Sequence, residues 1–259
     1  MGTAMKKPVY ATRILKGAGL VTYAKDLLAE WDEKIPFEEN LAKFRRSGMF
    51  GKASAARAGD VLSVLNTRYL HDESTRRGLV RLRRARPAPP TLELVLGFHA
   101  AMTDQLLFDF ATDFLFDRRE RGLTSVSQDD AIAFLMKLGV ASPPYAWSSR
   151  TITRVARQLL TAWRDFGLLM GTSRKRLTDR PVPIPAFLWV AAFLKESTGS
   201  TAGLFHDRAF RLLLLSPTDV ESMFASASRQ GWLQLSGGGP LARIEWRYTT
   251  VEEVASALS

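Results

Sequence analysis

The stretch Ser148–Arg180, SSRTITRVARQLLTAWRDFGLLMGTSRKRLTDR, limits what this chain can fold into more than any other. Ile152, Val155, Leu159, Trp163 and Phe166 recur at helical spacing on one face, and Arg150, Arg154, Arg157, Thr161 and Arg164 do so on the opposite face. The spacing predicts an amphipathic helix with an arginine stripe. Ser148 or Ser149 can cap its start, and Gly167 stands where a left-handed glycine commonly ends a helix. A short apolar run, Leu168-Leu169-Met170, then meets the polar turn Gly171-Thr172-Ser173 and the basic return Arg174-Lys175-Arg176-Leu177-Thr178, a small hairpin. Helix followed by basic hairpin is the order of parts in a winged helix-turn-helix. The major groove admits one helix, and a hairpin beside it reaches flanking phosphates. Arg150, Thr151, Arg154 and Arg157 are the groove-facing candidates, and Arg174, Lys175 and Arg176 the wing candidates. A solvated surface helix with a hairpin capping the core would read the same way, and the helix alone does not separate the two.

Charge adds weight to the first reading. Lys+Arg 36 against Asp+Glu 26 gives +10, the footprint of a protein that meets polyanions, whether nucleic acid or an anionic membrane surface. A hydrophobic share of 46% calls for a packed core. The longest apolar stretch, Ala186 to Leu194, is bounded by Pro185 and Lys195 and is far shorter than the roughly twenty residues a span requires. Met1-Gly2-Thr3-Ala4-Met5-Lys6-Lys7 has basic residues with no apolar core behind them, so no secretory signal is expected, and Met5 could be the native start. With no cysteine there is no disulfide, thiolate metal site or cysteine nucleophile. Together these point to the cytoplasm.

Ahead of the striped helix, Leu20, Tyr23, Ala24, Leu27, Leu28 and Trp31 mark a first helix, and Pro36 opens a second with Phe37, Leu41 and Phe44 inward. The turn Ser47–Gly51 leads to a third helix, about 53–70, that buries Ala58, Val61, Leu62, Leu65 and Tyr69 and presents Lys52, Ser54, Arg57 and Arg68. This is a second helix-turn-helix candidate with Lys52, Ser54 and Arg57 at its basic entrance, although two plain antiparallel helices would look alike. Residues 76–86, RRGLVRLRRAR, form the densest charge run. Its Arg76, Arg77, Arg81, Arg83 and Arg84 repel one another and favour a nearby anion, or else coat a solvated face. Pro87, Pro89 and Pro90 end it and suggest a domain boundary.

Residues 91–118 are the most apolar helical material, with Phe98, Leu106, Leu107, Phe110, Phe114 and Phe116 as the expected central core. His99 reads as a satisfied core histidine, since nothing near it has metal-ligand spacing. Asp104, Asp109, Asp113 and Asp117 read as an exposed acidic stripe that balances basic neighbours rather than as paired catalytic carboxylates. Ser127 caps the next helix, whose face is Ala131, Phe134, Leu135 and Leu138 and which supports the striped one. After the extended PVPIP segment come an apolar helix at 186–196, a short helix at 206–215 and a helix capped by Ser216. A hairpin carrying Trp232, Ile244, Trp246 and Tyr248 comes after these, and then a last helix begun by Thr249. Being less basic, this second hairpin suits packing or protein contact.

The segments ATRILKGAGLVTYAKDLLAEWD (11–32), ENLAKFRRSGMFGKASAARAGDVLSVLNTRYL (39–70) and RDFGLLMGTSRKRL (164–177) resemble the BrxA family of bacteriophage exclusion (BREX) defence systems in order, length and texture. The resemblance implies a bacterial cytoplasmic, essentially all-helical protein with helix-turn-helix elements beside positive surfaces, able to bind double-stranded DNA. It also implies company: a methyltransferase, an ATPase and a phosphatase-like protein encoded alongside.

The expectation is therefore a mainly α fold, a helical bundle with helix-turn-helix and winged-helix elements and only small β-hairpins. Three regions are expected, at 1–87, 88–182 and 183–259. The expected function is non-enzymatic: double-stranded DNA binding by an accessory protein of a defence complex, with no cofactor, no metal and no membrane, acting as a monomer. The rival is a protein-interaction adaptor that docks a partner through Trp232, Trp246 and Tyr248. An enzyme finds little support, because the chain lacks a phosphate loop and a zinc-helix motif and has only His71, His99 and His206 for histidine chemistry.

Overall fold

Two helices are apolar all round, and such helices must be buried on every side. The computed structural model, which describes residues 10–47, 55–199, 201, 203–237 and 243–258, places both at its centre. They are α5 (Thr91–Met102), buried from Thr91 to Ala101 except at Glu93, and α10 (Ile184–Thr198), buried from Ala186 to Ala192 and at Leu194. Around them lie α1 (Val21–Glu30), α2 (Phe37–Arg46), α3 (Ala55–Leu65) and α4 (Glu73–Ala85) from the N-terminal side. From the C-terminal side come α11 (Pro217–Arg229) and α12 (Val251–Ser256). The last helix returns to pack along α4, so the stretches before Pro87 and after Pro181 share one continuous apolar core with the middle. Gly78 makes that approach possible: a Cβ there would lie 2.8 Å from Cη2 of Trp189 and 3.1 Å from Cγ2 of Val251. The fold is mainly α, with strands only in two small antiparallel sheets among the described residues.

His99 sits in that core at 3% exposure, and its Nε2 accepts the indole N–H of Trp189 at 2.9 Å. Burial pushes its pKa from 6.5 down to about 3. The unfolded chain therefore binds a proton at this residue that the folded chain refuses, and stability falls as pH drops from about 6.5 towards 3. The expected contribution is about 1.4 kcal/mol lost per pH unit in that window. Urea unfolding at pH 7 and pH 5 measures it, and His99→Gln, which preserves an acceptor for Trp189, should flatten that part of the profile. A profile unchanged by the substitution would refute the assignment.

Two of the helices expected to be regular contain π-helical turns, Asn66–Leu70 after α3 and Phe110–Leu115 between α6 (Gln105–Asp109) and α7 (Phe116–Glu120). The extra residue in a π turn rotates the next side chains away from the face that α-helical spacing assigns them. Two readings are corrected here, the first by such a turn. Arg68, expected outward, is 4% exposed, and its guanidinium donates to the carbonyls of Gly17, Ala18 and Gly19 at 3.4, 2.7 and 3.5 Å. Asp109, expected on an exposed stripe, lies ahead of the second π turn and is turned inward for another reason: the five-residue step from Asp104 carries it about 140° round a regular helix, where it is 5% exposed and accepts from Tyr10 Oη, Gln105 Nε2 and Arg208 Nη2. The stripe's other members behave closer to expectation: Asp113 pairs with Arg208, Asp117 with Arg121, and Asp104 caps α6.

Smaller corrections come from the same local chemistry. Thr250, not Thr249, caps α12, because its side chain and that of Glu253 close a reciprocal capping box. The short helix at 206–215 is a pair of 3₁₀ turns, Leu204–His206 and Arg208–Leu213, and Phe210, Leu213 and Leu214 are buried as expected. Most of the turn Ser47–Gly51, with Lys52 and Ser54, lies outside the described residues.

Candidate nucleic-acid interface

The striped helix is α9 (Ser149–Asp165), capped by Ser148, whose Oγ accepts the Thr151 amide at 3.2 Å. Its inner face, Ile152, Val155, Ala156, Leu159, Leu160, Ala162 and Trp163, is buried. Ahead of it α8 (Gln128–Lys137), closed by the reciprocal caps of Ser127 and Asp130, packs against its side. Behind it β2 (Leu169–Met170) and β3 (Lys175–Leu177) form the expected hairpin, and Gly167 and Gly171 take the left-handed φ values, +89° and +90°, that the chain reversal needs. A third strand, β1 (Ser125–Val126), joins the sheet in the order β1-β3-β2, pairing Ser125 with Arg176 and Val126 with Lys175. The sequence reading missed it. Only the β-branched pair Thr124 and Val126 ahead of the capping Ser127 hinted at it, and a two-residue strand has no period to detect.

Around this unit the cations divide into free and committed. Arg150, Arg154 and Arg157 are exposed along α9, and no described residue forms an ion pair or hydrogen bond with their side chains. Arg174 at the hairpin tip is exposed in the same way. Thr151 is half-buried, with its hydroxyl 3.0 Å from that of Ser148. Lys175 donates to the Thr172 carbonyl at 2.9 Å, and its pKa lies below the ordinary lysine value because of partial burial and the nearby charge of Arg164. Arg176 is exposed, its Nε 3.0 Å from Sδ of Met170. At the far end of the helix Arg164 is taken by Asp165 at 2.7 Å, so the free stripe ends at Arg157.

The run on α4 contrasts with this. Arg76 donates to the Leu70 carbonyl and lies over the rings of Trp31 and Phe37. Arg77 pairs with Glu73 and Arg81 with Glu252, while Arg83 donates to the Lys25 carbonyl and Arg84 to Glu33 and the Trp31 carbonyl. The densest charge in the sequence thus joins α4 to α1 and α12. Arg57 on α3 is exposed and donates to the Lys16 carbonyl.

Comparison with known proteins bears on these elements. A family model for BrxA matches residues 8–188, more than two thirds of the chain. The chain belongs to the BrxA family. That membership places it among the phage-defence proteins of bacteriophage exclusion systems. The BrxA match takes in α8, α9 and the basic hairpin but stops within α10, so β4 (Leu233–Ser236) and β5 (Arg243–Trp246) lie outside it. No curated protein matches. The crystal structure of an uncharacterized protein from Magnetospirillum magneticum is similar, with a TM-score of 0.57 at 14% identity over 80% of this chain and 98% of that one. At that identity the likeness concerns the fold alone. Among the described residues no helix is long and apolar enough to cross a membrane, and no group of His, Asp or Glu is arranged to hold a metal ion.

Proposed function

We propose that this BrxA-family protein is a non-enzymatic accessory that binds double-stranded DNA, with β1, α8, α9 and the β2–β3 hairpin acting as a winged helix-turn-helix. Its place is beside the methyltransferase, ATPase and phosphatase-like protein of the defence system, as a cytoplasmic monomer. The observation that carries the reading is the line of unpaired arginines, Arg150, Arg154 and Arg157, on the free face of α9. An arginine with a protein carboxylate in place has little to gain from a phosphate, and these have none.

Six cations supply the contacts: Arg150, Arg154 and Arg157 from the helix, and Arg174, Lys175 and Arg176 from the wing. Neutralising about six phosphates makes affinity fall on the order of a thousandfold between about 50 and 200 mM salt. A salt-titrated duplex-binding assay tests this, and a flat response would refute it. Arg77→Ala serves as the internal control, because Arg77 is spent on Glu73; its duplex affinity should stay within about twofold of wild type. The adaptor reading loses ground in the C-terminal hairpin. Its aromatics are engaged with the protein itself, Trp246 against Phe224 and Lys195, and Trp232 against Tyr248.

A further inference from the structure

A cavity of about 470 Å³ opens between the start of α4, the end of α5 and the end of α10, away from the arginine stripe. Asp72, Thr75, His99, Met102, Phe193 and Glu196 line it. We propose that it binds a small neutral heterocycle that carries an amino group beside a hydrogen-bond acceptor, as aminopurine and aminopyrimidine nucleosides do. This site is independent of the DNA-binding reading.

The argument begins with the tautomer of His99. An indole nitrogen can only donate, so the bond from Trp189 Nε1 makes His99 Nε2 the acceptor. The neutral ring then carries its proton on Nδ1. No described group accepts from Nδ1, and Nδ1 is not among the enclosed polar atoms that lack a partner. Its N–H therefore opens onto the cavity that His99 lines. A fixed donor at the inner wall asks for an acceptor on the ligand.

At the rim the polarity reverses. Glu196 accepts the Val251 amide with Oε2 at 3.1 Å, and its Oε1 has no partner among the described residues. Asp72, which accepts the Thr75 amide as the cap of α4, adds a second negative charge. Arg68 and His71 also line the cavity, but the Arg68 guanidinium is held by the carbonyls of Gly17, Ala18 and Gly19, so an anion would face two carboxylates with that cation already engaged. A simple ammonium would satisfy the carboxylates but carries no acceptor for the His99 N–H. A neutral ligand with an acceptor and an amino group meets both sides. Met102 and Phe193 supply an apolar wall suited to a flat ring, and the volume falls within the range of small-molecule sites.

The test uses adenosine and cytidine as probes, with thymidine, which has no exocyclic amine, as the control. Calorimetry on the full chain should show saturable binding of an amino nucleoside and weaker binding of thymidine. Long-range ¹H–¹⁵N spectra should show the Nδ1-protonated tautomer of His99 and a shift of that nitrogen on titration. Glu196→Gln keeps a carbonyl acceptor for Val251 but presents an amide N–H to the ligand, and should weaken binding by at least about tenfold while leaving the unfolding midpoint near wild type. No saturation by either amino nucleoside, equal binding of thymidine, undiminished binding in Glu196→Gln, or a proton found on Nε2 would each overturn the proposal.

Discussion

Replacing Arg150, Arg154 and Arg157 together by alanine is expected to weaken duplex binding by a few hundredfold at about 0.1 M salt, with the helical signal unchanged. The magnitude comes from counterion release, in which each phosphate contact contributes about 0.9 to the slope of log affinity against log salt. Three contacts removed lower that slope by about 2.7, which at about 0.1 M salt is the same number of decades in affinity. The fold should not notice, because the three side chains lie on the exposed face and are joined to no other described residue. Surface changes of this kind usually cost within about 0.5 kcal/mol. Binding measured by fluorescence anisotropy beside circular dichroism separates the two effects. Wild-type affinity in the triple variant would remove α9 from the interface, and the same loss in Arg77→Ala would mean that charge in general, not this stripe, governs binding.

What the sequence disclosed of this interface, and what it hid, have one physical explanation. The period of α9 was legible because burial on one face and solvent on the other force apolar and charged residues apart at a fixed spacing, and α9 keeps that spacing for seventeen residues. The caps at Ser127, Ser148 and Ser216 were legible because they depend on neighbours three residues away. Pairing between distant segments leaves no such trace. Arg81 and Glu252 stand far apart in the chain, so the run RRGLVRLRRAR looked unpartnered until α12 was seen lying along α4. The strand β1 was lost for the same reason: its two residues acquire meaning only beside Arg176 and Lys175. Raw charge density alone favours α4, whereas the helical stripe read from the sequence and the partners of each cation in the structure agree on α9.

Arg68→Ala should be among the most damaging single substitutions, with a loss of about 3–5 kcal/mol. The π turn at Asn66–Leu70 carries this guanidinium inward, where it donates to the carbonyls of Gly17, Ala18 and Gly19. Those residues end an N-terminal strap whose 3₁₀ turn, Thr12–Lys16, packs along α9 through the fully buried Ile14. At Gly19 the approach is so close that a Cβ would lie 2.8 Å from the Cβ of Asp165. Removing the guanidinium leaves buried carbonyls unsatisfied and also takes away the positive charge that opposes the burial-driven rise in the pKa of Asp104. Lysine is a poor substitute, since one compact ammonium cannot span acceptors that a planar fork reaches together, and Arg68→Lys should recover less than about half of the loss. Urea unfolding gives the magnitude, and amide exchange across residues 12–19 gives the location. If the loss is confined as argued, those amides exchange faster in Arg68→Lys while the core of α5 stays protected. A cost below about 1 kcal/mol, or uniform loosening of α5 and the strap alike, would mean that the strap is held mainly by Ile14 and Tyr10 and that the buried arginine is incidental to it.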